Sequence, residues 1–250
     1  EDTHDIAVST FKQITLYTAK VCPYAQRVEL ALAEAKADFK SYQIDLQNKP
    51  EWYAPQVNPA SKVPAIAYGG PNVSPDTPSP DSIKIAESLV LLEFIADLYP
   101  SAHLLPTDPV ARAQTRFFID AVSTKFAPAY VGFVVRGESY ETVLKAFEAI
   151  QSLLPNEESP KFAVAGQYTI ADAAIAPFAA RLRLSVENEI GVFAPGEGAK
   201  LIKELKTPKY ARFFNYVESL FQRDSFKATF DEEYVKSVFL KRFNALRAEK

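Results

Sequence analysis

The sequence is poor in the residues that build redox pairs and metal sites. Its 250 residues include one cysteine, Cys22, and two histidines, His4 and His103. A single cysteine excludes an internal disulfide and favours a reducing compartment, so we predict a cytoplasmic protein. It also excludes the Cys-x-x-Cys motif of dithiol oxidoreductases, because Ala25 stands where that motif has its second cysteine. The two histidines lie in exposed-looking segments without matched partners, and we predict no metal site.

Long apolar runs and a strong charge imbalance are also missing. No apolar run approaches the roughly 18 residues of a membrane span, and residues 1–12 lack the apolar core of a signal peptide. The formal net charge of −3 disfavours nucleic acid or an anionic membrane as the main partner. We therefore expect no nucleic acid and no membrane among its partners. The 48% hydrophobic content suffices for a substantial core in one large or two small domains.

The stretch Val21–Arg27, which contains the cysteine, organises the rest of the chain. Residues 14–17 before it have a strand pattern. After it, apolar residues recur at the spacing of one helix face, at Val28, Ala31, Leu32 and Ala35. Pro23 suits the first helical position, so we expect Cys22 at the helix N-terminus.

That position favours a reactive cysteine. Unpaired N–H groups and the helix dipole stabilise a thiolate, which predicts a lowered pKa and a nucleophile. The alternative is a buried structural cysteine that acts as a small hydrophobe. Without a second thiol in the chain, a mixed disulfide must be resolved by an external thiol, which points to glutathione.

The first hundred residues predict an α/β domain. Strands are expected at 39–44, 65–68 and 82–85, with a helical turn at 51–57 and a helix after Ser88. With the first strand and helix, they give the thioredoxin-like order β-α-β followed by β-β-α. Pro64 is either a strand boundary or a cis proline. Ser88 either caps its helix or, with the free N–H groups, binds an anion.

Four segments in this order resemble the cysteine-bearing omega class of the glutathione transferase superfamily, with a fungal lineage as the suggested branch. The stretch from Cys22 to Arg27 is similar to the omega Cys-Pro-Phe-Ala-x-Arg motif. The other three segments are Asn48–Trp52, Asn58–Pro64 and the pair Glu87-Ser88. Tyr24 departs from the motif, where the family has Phe, and the proline-rich insertion 69–80 is longer than expected.

The resemblance implies a set of site residues. Cys22 would be the catalytic residue that forms a mixed disulfide with glutathione, the co-substrate, and no metal is implied. The implied glutathione-binding residues are Pro23, Tyr24, Lys49, Lys62, Val63, Pro64, Glu87 and Ser88. Glu87 and Ser88 would hold the γ-glutamyl end, Val63 the cysteinyl backbone, and a lysine the glycyl carboxylate. Phe126 and Tyr130 would line the pocket for the second substrate.

The residues after 101 have helical patterns throughout. The expected fold is therefore an α/β thioredoxin-like N-terminal domain, 1–101, followed by an all-α C-terminal domain, 102–250, which is the glutathione transferase fold. Asp108-Pro109 predicts a helix start. Thr169–Asp172 predicts a capping box in which Asp replaces the usual Glu or Gln.

The predicted function is a glutathione-dependent thiol transferase, or deglutathionylating reductase, of the omega type. Dehydroascorbate reduction is a close variant, and a homodimer is expected. One alternative is a ligandin-type binding protein for hydrophobic or phenolic small molecules with weak catalysis. Another is a relative of the intracellular chloride-channel proteins. The charged residues Glu29, Glu34, Lys36, Asp38 and Lys40 interrupt any apolar span near 23–46 and disfavour it.

Overall fold

The computed structural model describes residues 13–248. The expectations for residues 1–12 and for His4 lie outside the described residues. The first half contains β1 (Ile14–Thr18), α1 (Pro23–Glu34), β2 (Lys40–Gln43), α2 (Tyr53–Gln56), β3 (Ala65–Tyr68), β4 (Ile83–Ala86) and α3 (Ser88–Leu98). The helical half contains α4 (Pro109–Ala121), α5 (Ala127–Val131), α6 (Glu141–Gln151), α7 (Ile170–Glu187), α8 (Glu197–Leu205), α9 (Ala211–Phe221), α10 (Asp224–Thr229) and α11 (Glu232–Ala248).

The four strands form one mixed sheet with the order β2-β1-β3-β4. β1 pairs parallel with β2, and β3 pairs antiparallel with both β1 and β4. Side chains alternate between the two faces of the sheet. Ile14, Leu16 and Ile66 pack in the core with α1 and α3, whereas Tyr17 packs with α2 on the opposite face. The predicted thioredoxin-like order is confirmed.

The predicted proline-rich insertion folds back over this second face. The Tyr17 hydroxyl donates to the Pro75 carbonyl at 2.8 Å. Lys40 Nζ donates to the Val73 carbonyl at 3.2 Å and also to the Asn72 side chain. The insertion therefore ties β1 and β2 together, although it connects β3 to β4.

α7 is the central helix of the helical half, and nearly all its residues are buried. It begins with the predicted capping box, in which Asp172 accepts the Thr169 N–H at 2.8 Å. The Asp172 carboxylate also accepts the Ala163 N–H at 2.9 Å and the Tyr216 hydroxyl at 2.8 Å. One buried carboxylate thus holds the helix start, the preceding loop and α9.

α4 and α5 belong to one continuous helix, Pro109–Arg136, with π-helical turns at Val122–Phe126 and Gly132–Arg136. Asp108 caps its start by accepting the Ala111 N–H at 2.8 Å, as predicted. By length and composition alone this helix is apolar enough to cross a membrane, which corrects the expectation that no segment is. Because 61% of its most apolar window is buried inside the protein, it resembles a core helix, and one such helix is weak evidence for a span.

Candidate functional site

Cys22 occupies the N-cap position of α1, as the sequence predicted. Its N–H donates to the Ala19 carbonyl at 2.8 Å, and its own carbonyl accepts the first helical bond from Gln26 at 3.2 Å. Pro23 follows at the first helical position. Cys22 is a partly exposed residue, and its sulfur lies 3.9 Å from the Val63 carbonyl oxygen, to which the thiol donates weakly. The helix start and the segment before β3 therefore meet at this sulfur.

The segment that faces the sulfur contains the cis peptide bond Val63–Pro64. Two buried side chains hold the carbonyl that precedes it: the Tyr53 hydroxyl donates to the Lys62 carbonyl at 2.7 Å and Asn58 Nδ2 at 2.8 Å. The Lys62 side chain itself is exposed.

Lys49 reaches the same segment from the loop before α2. Its Nζ donates to the Ser61 carbonyl at 2.5 Å. The ammonium of Lys49 is partly buried, and that of Lys62 is exposed. Two positive charges therefore flank the segment that leads to the cis proline.

Glu87 and Ser88 lie at the start of α3, but Ser88 does not cap it. Glu87 occupies the N-cap position with a left-handed φ of 73°, and Ser88 is the first helical residue. The prediction that Ser88 is the N-cap is therefore wrong. The Ser88 hydroxyl is instead engaged by Arg27, whose Nη1 donates to it at 3.2 Å. The exposed Glu87 side chain extends into solvent at this helix start.

Arg27 is buried between α1, α3 and α7. Its Nε donates to the Ala174 carbonyl at 2.9 Å, and its guanidinium lies 4.7 Å from the centre of the Phe178 ring. Among the described residues, nothing accepts a hydrogen bond from its Nη2. Burial lowers the pKa of Arg27 to about 10, so it stays charged at neutral pH. The sequence motif contained this arginine but gave no hint of its role.

Aromatic side chains of the helical half approach α1 from the other side. The Tyr24 ring packs edge-on against Phe178, with centres 5.0 Å apart, and Tyr130 packs on Phe178 at 6.0 Å. Burial raises the pKa of Tyr130 to about 12, and this residue interacts electrostatically with Cys22. The structure thus places Tyr130 near the cysteine.

Phe126, the other predicted pocket residue, packs inside the helical half. Its ring packs against Phe147 and Phe213, with centres 5.5 and 5.8 Å apart, and only 1% of it is exposed. Phe126 is a core residue of the helical half.

The cysteine environment raises the pKa of the Cys22 thiol, contrary to the lowered value expected from sequence. Desolvation is the largest cause. The N–H groups of Ala25 and Tyr24 and the guanidinium of Arg181 act in the opposite direction, and Glu29 adds a smaller increase. The helix N-terminus does favour the thiolate, but burial outweighs it. No cluster of metal-ligating side chains occurs in residues 13–248.

Arg181 is the site residue that sequence analysis missed. It lies on α7 and is completely buried, and it donates to the carbonyls of Val21 and Lys20 at 3.0 and 2.9 Å. Its only signal in the sequence is an arginine within an apolar helix pattern, where a charge is unexpected. Tyr53 and Asn58 were also missed, because their role depends on the fold of the 58–64 segment.

Comparisons with known proteins agree with this architecture. The family model of the glutathione S-transferase N-terminal domain matches residues 16–103. Glutathione transferase Omega 1C from Trametes versicolor is 59% identical, with a TM-score of 0.90 over 93% of this chain and 97% of its own. Omega 2C from the same organism is 57% identical, with a TM-score of 0.88 over 93% and 99%.

Plant sequences extend the relationship. A probable glutathione S-transferase from Nicotiana tabacum is 30% identical over 83% of this chain and 88% of its own length. These similarities cover both the α/β half and the helical half. The chain belongs to the glutathione transferase family and, within it, to the omega class of the fungal type.

Proposed function

We propose that this glutathione transferase acts as a thiol transferase through a mixed disulfide between Cys22 and glutathione. The observation that carries the proposal is the sole cysteine, a partly exposed residue at a helix N-cap whose sulfur lies 3.9 Å from the Val63 carbonyl oxygen. A cysteine at this position favours thiol–disulfide exchange, whereas a hydroxyl would instead stabilise a glutathione thiolate.

The reaction starts with the Cys22 thiolate, which attacks the glutathionyl sulfur of a mixed disulfide. The Cys22–glutathione disulfide forms, and the bond to the second substrate breaks. The released thiolate then takes up a proton. A glutathione thiolate next attacks the glutathionyl sulfur of the enzyme disulfide, which yields oxidised glutathione and restores Cys22. With a glutathionyl ketone, the same attack releases an enolate that is protonated to the ketone.

Glutathione is held, in this proposal, along the surface that joins the two helix starts. The Val63 backbone pairs with its cysteinyl unit, beside cis Pro64 and close to Pro23 and Tyr24. Glu87 and Ser88 bind the γ-glutamyl amine and carboxylate, because a carboxylate and a helix N-terminus complement those charges.

Lys49 and Lys62 are the proposed partners of the glycyl carboxylate. Lys62 lies on the segment that leads to the cis proline, and the Lys49 ammonium donates to the Ser61 carbonyl of the same segment. A lysine binds a carboxylate as a point charge, so either ammonium suits a flexible glycyl end.

The test is the intact mass of the native chain and of Cys22→Ser after incubation with oxidised glutathione, alongside a thiol-transferase assay. We expect one glutathione adduct on the native chain, reversed by reduced glutathione, and none on the variant. A native chain without an adduct and without Cys22-dependent turnover would overturn the proposal.

A second candidate function is the binding of aromatic ligands with little turnover. Glutathione transferase Omega 2S from Trametes versicolor, which is 41% identical, has a structure in complex with 2,4-dihydroxybenzophenone. The aromatic side chains near Cys22 in this chain, Tyr24, Tyr130 and Phe178, support the same capacity. Calorimetric titration with this benzophenone, on Cys22→Ser as well as the native chain, separates binding from catalysis.

We also propose a cytoplasmic homodimer. Val90 on α3 and Val110 and Phe117 on α4 are apolar and well exposed, and the bidentate Arg116–Glu93 pair links the two helices on their surface. Burial of such apolar surfaces drives association. Sedimentation analysis should give a dimer for the native chain and a shift toward the monomer for Phe117→Glu.

The proposed domain division, 1–101 and 102–250, separates the sheet with its helices from the helical half. The Tyr99–Ala102 turn and the linker to Asp108 lie between them. Limited proteolysis should cleave first within residues 102–108.

A further inference from the structure

Arg181 is a buried cation whose hydrogen-bond partners are all neutral. Its Nη1 donates to Gln26 Oε1 at 2.5 Å and to the Pro177 carbonyl at 3.1 Å. Its Nε and Nη2 donate to the carbonyls of Val21 and Lys20. Within residues 13–248, none of the ion pairs closer than 4.0 Å includes Arg181.

Glu29 interacts with the Arg181 guanidinium electrostatically but forms no direct ion pair with it. A buried guanidinium without a direct ion pair is costly, because carbonyl dipoles only partly replace the lost hydration. The two carbonyls that it holds belong to the residues directly before Cys22. The guanidinium therefore fixes the backbone turn that ends at the cysteine, and it interacts electrostatically with the Cys22 thiol. A thiolate at Cys22 would bring a negative charge to this cation.

We propose that Arg181 is a positioning residue for Cys22. It fixes the turn of residues 20–22 and supplies, from the helical half, the positive charge that favours the Cys22 thiolate. The inference rests on the proposed function only in taking Cys22 as the nucleophile.

The other charged or titratable groups around Cys22 leave this role to Arg181. Arg27 and Glu29 on α1, Tyr53 on α2 and Tyr130 on α5 all interact electrostatically with the cysteine. The two tyrosines are neutral at pH 7, because burial raises the pKa of each. Glu29 opposes the thiolate. Arg27 is directed toward Ser88 and Ala174, whereas Arg181 holds the cysteine turn itself.

The experiment measures the rate of Cys22 alkylation by iodoacetamide against pH in the native chain, Arg181→Met and Arg181→Lys. Arg181→Met keeps an unbranched apolar stem but removes the charge. We expect its rate at pH 7 to fall about tenfold, which corresponds to a rise of one pKa unit. Arg181→Lys restores the charge. The pH midpoint of its alkylation curve should therefore return most of the way to that of the native chain. Such rescue separates the electrostatic role from loss of packing.

Arg183→Met is the matched control. Arg183 lies on the same helix and also stacks on an aromatic ring, Phe221 at 4.5 Å, but it pairs with Glu218 at 2.7 Å. Its variant should keep the native midpoint. If Arg181→Met does not fold, as judged by circular dichroism, Arg181→Gln replaces it with the same expected rise.

A native midpoint in the folded, uncharged variant would overturn the inference, as would an Arg181→Lys midpoint as high as that of the uncharged variant. Iodoacetamide needs no glutathione, so this result is independent of the mixed-disulfide test. A negative result in one test therefore does not contradict the other proposal.

Discussion

Cys22 is held from two sides that use different interactions. On the side of the proposed glutathione site, called the glutathione side here, Tyr53 and Asn58 hold the Lys62 carbonyl, and these residues are 9 and 4 positions away from Lys62 in the chain. On the helical side, Arg181 holds carbonyls 160 and 161 positions away. One side is thus organised locally by neutral donors, and the other is organised by a buried charge that exists only after the two halves have packed.

The difference teaches where each property of the site originates. The local side fixes the shape that the glutathione backbone would meet. The distant side fixes the cysteine turn and its electrostatic surroundings. We therefore expect substitutions on the first side to change mainly glutathione affinity, and those on the second to change mainly thiol reactivity.

The largest effect is expected from removing the group that both sides share. Cys22→Ser should lower thiol-transferase turnover by about a thousandfold or more, because a hydroxyl cannot form the mixed disulfide. A coupled assay with a glutathionyl disulfide substrate measures it. Residual turnover within tenfold of the native rate would contradict the assigned nucleophile.

A substitution at Asp172 can destabilise the helical half without changing the cysteine. Asp172→Ala removes the acceptor for the Tyr216 hydroxyl and for two buried N–H groups. We expect the free energy of unfolding to fall by about 3 kcal/mol, which combines a lost cap with unsatisfied buried donors. Urea denaturation measures the loss, and the exposed Asp120→Ala on α4 is the control. A loss equal to that of the control would argue against the network.

The hydrogen bonds on the glutathione side can be weakened by removing a single hydroxyl group. Tyr53→Phe removes the hydroxyl that donates to the Lys62 carbonyl while Asn58 keeps its own bond. Loss of one such bond, worth about 0.5–1.5 kcal/mol, should weaken glutathione binding about two- to tenfold. Calorimetry measures the affinity, with Tyr42→Phe in the neighbouring aromatic cluster as control. Unchanged affinity would show that the Asn58 bond suffices.

The smallest expected effect is a shift in the pH at which Cys22 of the native chain ionises. Because burial raises the pKa of Cys22, the thiol form should persist to higher pH than in a free cysteine. The midpoint of alkylation against pH should lie above about 8.5, the value of a free thiol. A midpoint below that would mean that the helix N-terminus and Arg181 together outweigh desolvation.

Much of the local side was predictable from sequence. Strand and helix patterns placed Cys22 at the start of α1, and the segment before β3 was identified by its motif. The sequence left open whether Ser88 caps α3 or binds an anion, and the cap alternative is wrong; its hydroxyl accepts from Arg27, a partner 61 positions away that sequence patterns do not reveal. Desolvation of the Cys22 thiol could not be predicted either, because it depends on how the helical half packs against α1.

The helical side was harder to predict because the helix Pro109–Arg136 changes between α-helical and π-helical turns. Phe126 and Tyr130 share a face at α-helical spacing, and the sequence analysis assigned both to the pocket. The π-helical turn Val122–Phe126 adds a residue to that turn and rotates the residues after it relative to an ideal α-helix. Both side chains are buried, but Phe126 packs on Phe147 and Phe213, whereas Tyr130 packs on Phe178.

The long-range bonds of Arg181 also bear on how freely the two halves can be exchanged between relatives. If Arg181 positions the cysteine turn as proposed, a chimera that joins residues 1–101 to a foreign helical half should keep this turn only when the new α7 carries an arginine at the same place. Recombination at the linker would then yield active proteins in matched pairs, with residues 20–26 and position 181 transferred together. Residues of the two halves, although far apart in the sequence, should therefore be inherited together where they meet at the cysteine.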